Sequence, residues 1–449
     1  MTELFDVCVI GGGPAGASLA LRLADLGRSV VVIEKQSFPR RHIGESVTGG
    51  VLPLLQVLGV EHRMEAAGFI DAPRSMVLWA GQLNSRETHG GYQVDRGTFD
   101  EILLSEARSA GALVKQPARV SCMSSKQYWT IDLQGGQSFC ARFLAEAGGR
   151  NSILGGRKIA CGAQTFALYA YWSGVDPSHG ETLVEAGHSQ WYWGTPLPDG
   201  TFNATVFVDR QHARKEDYFK LMAQSSLLSP RLRDGACEGV YACDATAFVS
   251  QEIVTPRSIR VGDAALTIDP LSSQGVQTAI GTAFHAAVVI NTILDRPDNS
   301  TMAMDFYRRR ITESAQFHSH AAATQYRKQW MISSTPFWQR RLATDNNKQP
   351  RVSSMLTNLN QRMHVSPQAA FVPVAIATEK YVIESDGVVV GREIFCRVGE
   401  HSVSQLLSQI TETMAAREIL QRWSQYIPAP SALHVLEWAW NRGLLEASS

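Results

Sequence analysis

The sequence lacks an excess of charge of either sign. Its 449 residues contain 42 Lys and Arg against 42 Asp and Glu, so the formal net charge is zero. This balance excludes a strongly basic surface as the main feature of the protein, and we expect no nucleic-acid partner. Charged residues make up 19% and hydrophobic residues 44% of the chain, an ordinary globular composition that can form a large core.

Long apolar runs and paired cysteines are also missing. No uninterrupted apolar run reaches the roughly 18 residues that a spanning helix needs, so we expect no membrane span. Glu3 and Asp6 stand where a signal peptide would be basic, and Gly11 interrupts the apolar stretch that follows. The 7 cysteines are scattered, without a Cys-x-x-Cys pair or metal-ligand spacing. These absences predict a cytoplasmic protein with reduced thiols and no bound metal.

The N-terminal segment predicts a nucleotide site. Residues 5–34 predict strand, glycine-rich turn, helix and second strand, which together form a βαβ unit of a parallel sheet. In this unit Gly11 permits the tight turn, Gly13 lets the backbone approach a pyrophosphate, and Gly16 lets helix and strand pack closely. The helix N-terminus offers N–H groups to phosphates. Glu34 ends the second strand, where it can accept a hydrogen bond from a ribose hydroxyl.

A second segment favours FAD over NAD. Asp263 follows Gly262 after a predicted strand at 258–261, and its carboxylate can accept a hydrogen bond from a ribityl hydroxyl. The turn at 269–275 precedes a long predicted helix at 275–295. The turn and the helix start can direct N–H groups at the flavin pyrimidine and so favour the anionic reduced ring.

The order of the predicted elements indicates interleaved domains. Segments rich in aromatic and β-branched residues predict a mainly antiparallel sheet, which interrupts the segments of the nucleotide-binding domain. We expect the FAD-binding domain at residues 1–70, 96–165 and 245–300, a substrate-binding sheet domain at 71–95 and 166–244, connecting helices and a linker at 301–349, and a small C-terminal domain at 350–449.

The last hundred residues predict a small α+β domain. We expect a hairpin at 381–398 that turns at Asp386-Gly387, because Asp-Gly is a strong turn signal. Three short helices are expected near 402–411, 414–425 and 431–442. This pattern resembles a winged-helix module, of the kind that recruits a peptide by strand addition or groove docking.

These motifs resemble those of the FAD-dependent aromatic monooxygenase and flavin halogenase superfamily, over roughly residues 5–300. Residues 41–46 (Arg-His-Ile-Gly-Glu-Ser) resemble its Gly-Glu-Ser segment along the flavin, and Arg96 resembles its FAD-binding arginine. Residues 145–152 resemble its strand-end motif, with Glu146 in place of the usual Asp. The resemblance implies the para-hydroxybenzoate hydroxylase type of fold: an α/β structure with a Rossmann-like FAD-binding domain interleaved with a mainly antiparallel substrate domain.

The resemblance also implies a set of FAD-contacting residues. They lie in the glycine-rich turn, the second strand end, the Gly-Glu-Ser segment, the predicted helix at 97–111 and the two later turns. The set comprises Gly11, Gly13, Ala15, Gly16, Glu34, Lys35, Arg41, Gly44, Ser46, Arg96, Gly148, Gly262, Asp263, Ser273, Gln274 and Gly275.

Three motifs that tryptophan halogenases share are not intact in this sequence. No lysine occurs between Lys35 and Lys115, so residues 73–79 occupy the expected place of the lysine that handles hypohalous acid. The Trp-x-Trp-x-Ile-Pro segment has Thr195 in place of Ile. The Pro-Leu-Glu-Ser-Thr-Gly turn reads Pro-Leu-Ser-Ser-Gln-Gly at 270–275, which removes its Glu and its Thr. These departures favour oxygenation over halogenation.

The resemblance then implies hydroxylation of an electron-rich aromatic through a C4a-hydroperoxyflavin, with O2 as cosubstrate. The flavin is reduced by NAD(P)H or by a separate reductase, because no second dinucleotide motif is visible. Glu45 and Asp269 are the carboxylates nearest the flavin by motif and are candidates for proton transfer. Trp193 is a candidate for the wall of the substrate cavity, although core packing explains most such aromatics equally well.

Within the superfamily the sequence most resembles the flavoprotein monooxygenases of tryptophylquinone biogenesis. The resemblance implies a protein or peptide substrate with a tryptophan residue, recruited partly by the C-terminal domain. Two alternatives stay open. One is a hydroxylase or halogenase of a small or carrier-tethered aromatic in secondary metabolism. The other is a non-catalytic FAD-binding maturation chaperone.

Overall fold

The chain forms two compact units, Met1–Ala343 and Thr344–Ser449. The computed structural model describes residues 3–72, 74–87, 90–176, 180–342, 359–391 and 393–448. The end of the predicted connecting segment, residues 343–349, lies outside the described residues, and so does Pro73.

The first unit contains the strands that build two large sheets and two small ones. They are β1 Leu4–Ile10, β2 Val30–Ile33, β3 Ser46–Thr48, β4 Ile70–Asp71, β5 Arg74–Trp79, β6 Gln82–Glu87, β7 Gly91–Gln93, β8 Leu113–Lys115, β9 Val120–Ser125, β10 Trp129–Leu133, β11 Ser138–Glu146, β12 Lys158–Ala160, β13 Phe166–Ser173, β14 Thr182–Ala186, β15 Trp191–Pro196, β16 Phe202–Val208, β17 Ala236–Asp244, β18 Phe248–Ser250, β19 Val254–Thr255, β20 Ser258–Arg260 and β21 Leu266–Thr267.

The α-helices of this unit pack on the faces of its sheets. They are α1 Pro14–Asp25, α2 Leu52–Val57, α3 Glu61–Glu65, α4 Arg96–Ser109, α5 Tyr218–Met222, α6 Leu228–Leu232, α7 Gly275–Asp295, α8 Ser300–Trp330 and α9 Pro336–Gln339. Short 3-10 turns precede several of them, including Gly262–Ala264 and Pro270–Ser272.

The first large sheet is the core of the nucleotide-binding half. Its main path is β19-β20-β11-β1-β2-β8, with β10 and β9 added beside β11. Strand β1 pairs in parallel with β2 and β11, and β11 pairs in parallel with β20. The helices α1, α4 and α7 pack together, with α1 in contact with both others. Strand β2 also pairs in parallel with β8, and because these five parallel strands end at one edge, the turns that follow them gather there.

The second large sheet is mainly antiparallel, in the order β17-β13-β16-β15-β14-β5-β6, with only the β14–β5 pair parallel. One face packs on α5 and α6 through a core that contains Trp172, Tyr192 and Tyr218. The other face carries Tyr171, Asn203 and the other residues at alternate positions of the same strands, as the two-residue period of a strand requires. The fold class predicted for this part of the chain is confirmed.

Helix α7 is long and apolar enough by length and composition to cross a membrane. However, 67% of its most apolar stretch is buried inside the protein, where α7 contacts α1 and α8. Two of its buried residues are Ile280 and Val289. Core helices share this composition, so the helix is explained by its packing.

The second unit is a small α+β fold. Its elements are β22 Arg362–Val365, β23 Ala370–Ala377, β24 Val382–Val390, β25 Glu393–Phe395, β26 Arg397–Val398, β27 His401–Ser402, α10 Val403–Leu407, β28 Met414–Ala415, α11 Ala416–Trp423, α12 Ala429–Asn441 and β29 Leu445–Ala447. The three helices predicted in the tail are present, around a core that includes Trp423 and Leu436.

The predicted turn at Asp386-Gly387 is wrong. Strand β24 runs through both residues and pairs with β23 along its length, and the chain turns at 378–381 instead. Gly387 is needed for close packing, because a Cβ there would lie 2.5 Å from a methyl carbon of Val374. A glycine that is required for strand packing therefore produced a false turn signal in the sequence.

Candidate active site

The glycine-rich turn follows β1 at the edge where the parallel strands end. Gly11 has φ of 102°, and a Cβ there would overlap the carbonyl oxygen of Ala147. A Cβ at Gly16 would overlap the carbonyl oxygen of Gly11. At Gly13, by contrast, the nearest atom to a Cβ is Nη2 of Arg40 at 3.7 Å. Gly11 and Gly16 therefore serve the turn and the packing, whereas Gly13 leaves open space beside the backbone.

The N-terminus of α1 is a site for a negative group. No side chain caps it and no acidic residue lies in its first turn. Nη2 of Arg40 pairs with Asp100 at 3.2 Å, while Nε and Nη1 are buried without a hydrogen-bond partner among the described residues. Buried guanidinium nitrogens rarely lack partners, and phosphate oxygens supply the acceptors they require. Sequence reasoning missed Arg40 and selected its neighbour Arg41.

Arg41 lies at the surface, with 58% of its side chain exposed. Its Nη1 donates to Glu238 at 2.9 Å, and its guanidinium lies 5.1 Å from the ring centre of Tyr171. The hydrogen bond to Glu238 raises the pKa of Arg41. The guanidinium of Arg41 therefore contacts Glu238 of β17 and the ring of Tyr171.

The residues that follow β2 are divided between core and surface. Glu34 is buried, and its two oxygens accept from the backbone N–H groups of Gly12 at 2.7 Å and Gln36 at 2.8 Å. Lys35 is exposed, and Ala15 is buried in α1. Glu34 thus stabilises the glycine-rich turn. It lies at the position where a ribose contact was expected.

Arg96 organises the Gly-Glu-Ser segment from the start of α4. It is buried, forms two hydrogen bonds with Asp100, and donates from Nη1 to the carbonyl oxygen of Ile43 at 2.8 Å. Gly44 has φ of 98°, and a Cβ there would lie 2.8 Å from Arg96. Ser46 opens β3 and pairs with β7.

Two later turns reach the same edge of the sheet. Gly148 follows β11, and Gly262 follows β20, where a Cβ would lie 2.6 Å from Cβ of Ala15. Asp263 is partly exposed, and its carboxylate has no hydrogen-bond partner among the described residues. Burial raises the pKa of Asp263. This carboxylate is therefore available to a ligand hydroxyl.

The turn before α7 meets the Gly-Glu-Ser segment directly. Oγ1 of Thr48 in β3 donates to Oε1 of Gln277 in the first turn of α7 at 2.9 Å. Ser273 has φ of 51°, an uncommon conformation for a residue with a Cβ, and Gln274 and Gly275 follow it into the helix. Glu45, immediately before β3, and Asp269, immediately before this turn, therefore flank the same junction.

Glu45 is the most heavily hydrogen-bonded carboxylate of the junction. Oε1 accepts from the phenol of Tyr171 at 2.7 Å and from Nδ2 of Asn203 at 3.2 Å, and Oε2 accepts from the N–H of Gly44 at 2.8 Å. Burial raises the pKa of Glu45, and these donors oppose that effect.

A row of polar side chains continues from Glu45 across the second sheet. Tyr171 on β13 is paired with Asn203 on β16, which is paired with Thr195 on β15. Oγ1 of Thr195 lies 3.4 Å from Oγ1 of Thr182 on β14, which accepts from Nε2 of Gln93 at 2.6 Å. The row is buried, so its polar groups are shielded from water on this face of the sheet.

Asp269 has a different set of contacts. Oδ1 accepts from the N–H of Leu271 at 3.0 Å and from the phenol of Tyr326 at 2.8 Å. Burial raises the pKa of Asp269, and Leu271, Tyr326 and the charge of Arg341 oppose that effect. Tyr326 comes from α8, 57 residues along the chain, and no local sequence signal could have identified it.

Aromatic side chains occupy the part of the same face beyond the polar row. Trp79, Trp191 and Tyr326 belong to one buried cluster, and Trp193 and Leu271 pack against it. Nε1 of Trp193 is buried and has no hydrogen-bond partner in the part of the chain that the structure describes. Trp193 therefore offers an unpaired donor beside a packed aromatic cluster.

A cleft of about 280 Å³ of empty space opens beside Glu45. Tyr171 and Leu197 lie on its sheet side, and Arg41, Glu45 and Arg96 on the other. No cluster of three or more His, Cys, Asp or Glu side chains suited to a metal occurs among the described residues.

The residues present fit an FAD. The unpartnered nitrogens of Arg40 and the open N-terminus of α1 suit its pyrophosphate, the space at Gly13 admits it, and the free carboxylate of Asp263 suits a ribityl hydroxyl.

Comparison with known proteins agrees with this geometry. Residues 4–316 match the family model described as FAD binding domain. Tryptophan 2-halogenase from Chondromyces crocatus is 28% identical over 334 residues, which cover 68% of this chain and 64% of the halogenase. The chain thus spans less than two thirds of that relative's length.

Two solved structures are similar over nearly the whole chain. The flavin-dependent halogenase CmlS has a TM-score of 0.86 at 21% identity, over 100% of this chain and 97% of its own, which is a likeness of fold. Peptidyl tryptophan dihydroxylase QhpG, described as essential for tryptophylquinone cofactor biogenesis, has a TM-score of 0.75 at 26% identity. That similarity covers 98% of this chain and 100% of QhpG.

Proposed function

We propose that this chain, which belongs to the FAD binding domain family of flavin-dependent halogenases and monooxygenases, hydroxylates an electron-rich aromatic ring. The members of this family are oxidoreductases, so the chain is an enzyme of that class. The substrate that we propose is a tryptophan residue of a partner protein or peptide, modified during tryptophylquinone biogenesis.

One observation carries the choice of oxygenation over halogenation. The aromatic face beside Glu45 and Asp269 has no lysine amine where the halogenase resemblance requires one. Strand β5 occupies that place, and it contributes Val77 and Trp79 to the apolar cluster. The halogenase resemblance requires an amine to hold and direct hypohalous acid, and the described residues of this cluster contain no lysine.

The residues of this chain would hold FAD and prepare the ring for attack. The glycine-rich turn, Arg40 and Asp263 would bind the cofactor, with the other FAD residues implied by the resemblance. Bound and reduced FAD would supply the activation of O2, with electrons from NAD(P)H or a separate reductase. The buried aromatic face excludes water and orients a flat ring, and Glu45 fixes the Gly-Glu-Ser segment.

The peptidyl substrate is supported by the similarity to QhpG, which extends through the second unit of the chain. That unit contains a cleft of about 840 Å³ of empty space, with Phe371 at its edge and Ser404 and Gln405 of α10 along one side. We propose that this cleft helps to recruit the partner. All 7 cysteines are free, which is consistent with the reducing cytoplasm that we propose as the location.

The experiment that tests this function offers several substrates together. The FAD-loaded protein is incubated with a reductant, O2 and bromide, and with a tryptophan-containing peptide, free tryptophan and a carrier-tethered aromatic in parallel. We expect mass spectrometry to detect one or two added oxygens on the peptide only. Bromination would favour the halogenase alternative, and oxygen on a small aromatic only would exclude the peptidyl substrate.

A reaction without reductant serves as the control. If the flavin binds but does not react with O2 after reduction, the chain is better described as a non-catalytic FAD-binding chaperone. Stopped-flow absorbance of the reduced flavin measures this directly.

A further inference from the structure

We propose that Asp269, positioned by Tyr326, takes up the proton that the aromatic ring releases, and that Glu45 serves to fix the Gly-Glu-Ser segment. This inference rests on the proposed oxygenation, because it assigns a step within that reaction. It separates the two carboxylates that the sequence alone leaves equivalent.

Glu45 is held by three donors from separate segments of the chain. Both of its oxygens accept hydrogen bonds, from Tyr171 and Asn203 on one side and from Gly44 on the other. Neither oxygen is free of a donor, so a substrate group can approach Glu45 only beside an existing hydrogen bond. Such a group is suited to a structural role as a hydrogen-bond acceptor.

Asp269 leaves one oxygen available. Tyr326 and Leu271 both donate to Oδ1, whereas Oδ2 has no hydrogen-bond partner among the described residues. Asp269 as a residue is intermediate in burial, and burial of its carboxyl raises the pKa, so Oδ2 lies in the interior without a protein donor. Two donors on one oxygen fix the orientation of the other, which can then accept a proton without losing an existing bond.

Tyr326 is held in place by packing, so it can fix the orientation of the Asp269 carboxylate. The residue is 2% exposed and lies between Trp79, at 6.2 Å between ring centres, and Trp338, at 5.9 Å. Trp79 is itself held by a hydrogen bond to the carbonyl oxygen of Gln325 at 2.9 Å. The phenol is therefore directed at Asp269 by a packed aromatic cluster and not by a flexible loop.

The proposed step is balanced in atoms and charge. A C–O bond forms at the ring carbon with one oxygen of O2, and the C–H bond at that carbon breaks. The O–O bond breaks as well, and the second oxygen leaves as water with two electrons that NAD(P)H or the separate reductase supplies. The electron pair of the C–H bond returns to the ring, and the proton moves to Oδ2 of Asp269. The neutral carboxyl then releases the proton to solvent before the next cycle. The charged and titratable groups that face Asp269 are Tyr326 from α8 and Arg341 after α9.

The test compares Tyr326→Phe with Tyr307→Phe. Tyr307 lies on the same helix, is also buried, and donates to the carbonyl oxygen of Arg260 at 2.7 Å, outside the proposed site. The phenol of Tyr326 stabilises ionised Asp269, so its loss raises the pKa of that carboxyl. The acid limb of the kcat profile should then move upward by about one pH unit, which corresponds to roughly one lost hydrogen bond.

A second variant keeps the inference testable if Tyr326→Phe folds poorly. Asp269→Asn retains acceptors for Leu271 and Tyr326 but cannot take the proton, and kcat should fall about 100-fold with little change in KM. An unshifted pH profile in Tyr326→Phe, or full activity in Asp269→Asn, would overturn the inference while the oxygenation itself stands. If the unmodified enzyme gives no oxygenated product from any substrate, the proposed function fails and the inference fails with it.

Discussion

The phenol oxygen of Tyr171 lies 2.7 Å from Oε1 of Glu45, although the two residues are 126 positions apart in the chain. This bond joins the second sheet to the Gly-Glu-Ser segment of the nucleotide-binding half. Asn203, from the adjacent strand, donates to the same oxygen. The carboxylate therefore connects the two halves of the first unit at the edge of the cleft.

The pH dependence of stability should reveal the burial of Glu45. Its pKa in the folded protein is raised above the ordinary value of 4.5, so the folded state holds this proton more tightly than the unfolded state. The stability that Glu45 contributes is then greatest at low pH and is lost as pH rises above 4.5 through the folded-state pKa. Glu45→Gln removes this titration, so its stability relative to the parent should increase as pH rises.

Urea unfolding of both FAD-free proteins between pH 4 and 8 measures the difference, and other carboxylates cancel in it. A difference that does not change with pH would mean that the buried carboxyl has an ordinary pKa. A relative decrease with pH would mean that the donors from Tyr171 and Asn203 outweigh burial.

Arg40 and Arg41 give opposite expectations for FAD affinity. Arg40→Gln removes the guanidinium beside Gly13, of which Nε and Nη1 are buried without a partner among the described residues. It should weaken FAD binding by roughly 10- to 100-fold, as expected for a charge-assisted hydrogen bond. Arg41→Gln removes exposed ion pairs, which contribute little, and should change the affinity by no more than about twofold. Titration followed by flavin fluorescence measures both affinities. A larger loss of FAD affinity in Arg41→Gln than in Arg40→Gln would support the FAD contact predicted for Arg41.

The sequence predicts the nucleotide-binding turn well because its signals are local. Gly16 is required by the carbonyl of Gly11 within the βαβ unit, and Gly11 is required by its positive φ in the turn, although its closest contact is with Ala147 after β11. The choice between Arg40 and Arg41 could not be predicted, because adjacent side chains point in different directions in a loop. Likewise, Tyr326 reaches Asp269 only through the packing of α8, which no local pattern encodes.

The glycines of the turn should separate folding from binding. Gly11→Ala places a Cβ against the carbonyl of Ala147 at a positive φ, so it should lower the free energy of unfolding by several kcal/mol. Gly13→Ala meets only ordinary contacts and should change stability by less than ~0.5 kcal/mol while weakening FAD binding. Urea unfolding of the FAD-free proteins and flavin titration measure the two effects. Equal destabilisation by both variants would show that Gly13 also serves packing.

The cleft of the second unit should affect peptides and not small substrates. Phe371 is 50% exposed at its edge, and Phe371→Asp should raise KM for a partner peptide about 10-fold without changing kcat. Phe317→Asp is the matched control, because Phe317 is 66% exposed on α8, in the first unit. Steady-state kinetics with the peptide and flavin titration measure both variants. A parallel loss of kcat and FAD affinity in Phe371→Asp would assign Phe371 to folding.

The second unit also shows where sequence signals mislead. Its three helices follow apolar patterns and were predictable, whereas Asp386-Gly387 indicated a turn that is absent. The contact of Gly387 with Val374 on the neighbouring strand explains the glycine, and such a contact is visible only in the folded structure. The polar row from Glu45 to Gln93 was hidden for the same reason, since cross-strand register brings its members together.

The most direct test of the account is a competition between oxygen and bromide on one tryptophan-containing peptide. The FAD-loaded protein and a reductant are supplied with oxygen-18 gas while bromide is increased, and products are measured by mass spectrometry. The account predicts labelled oxygen on the tryptophan in an amount that bromide does not change. Brominated peptide that replaces the oxygenated product as bromide increases would contradict the assignment of this chain as an oxygenase.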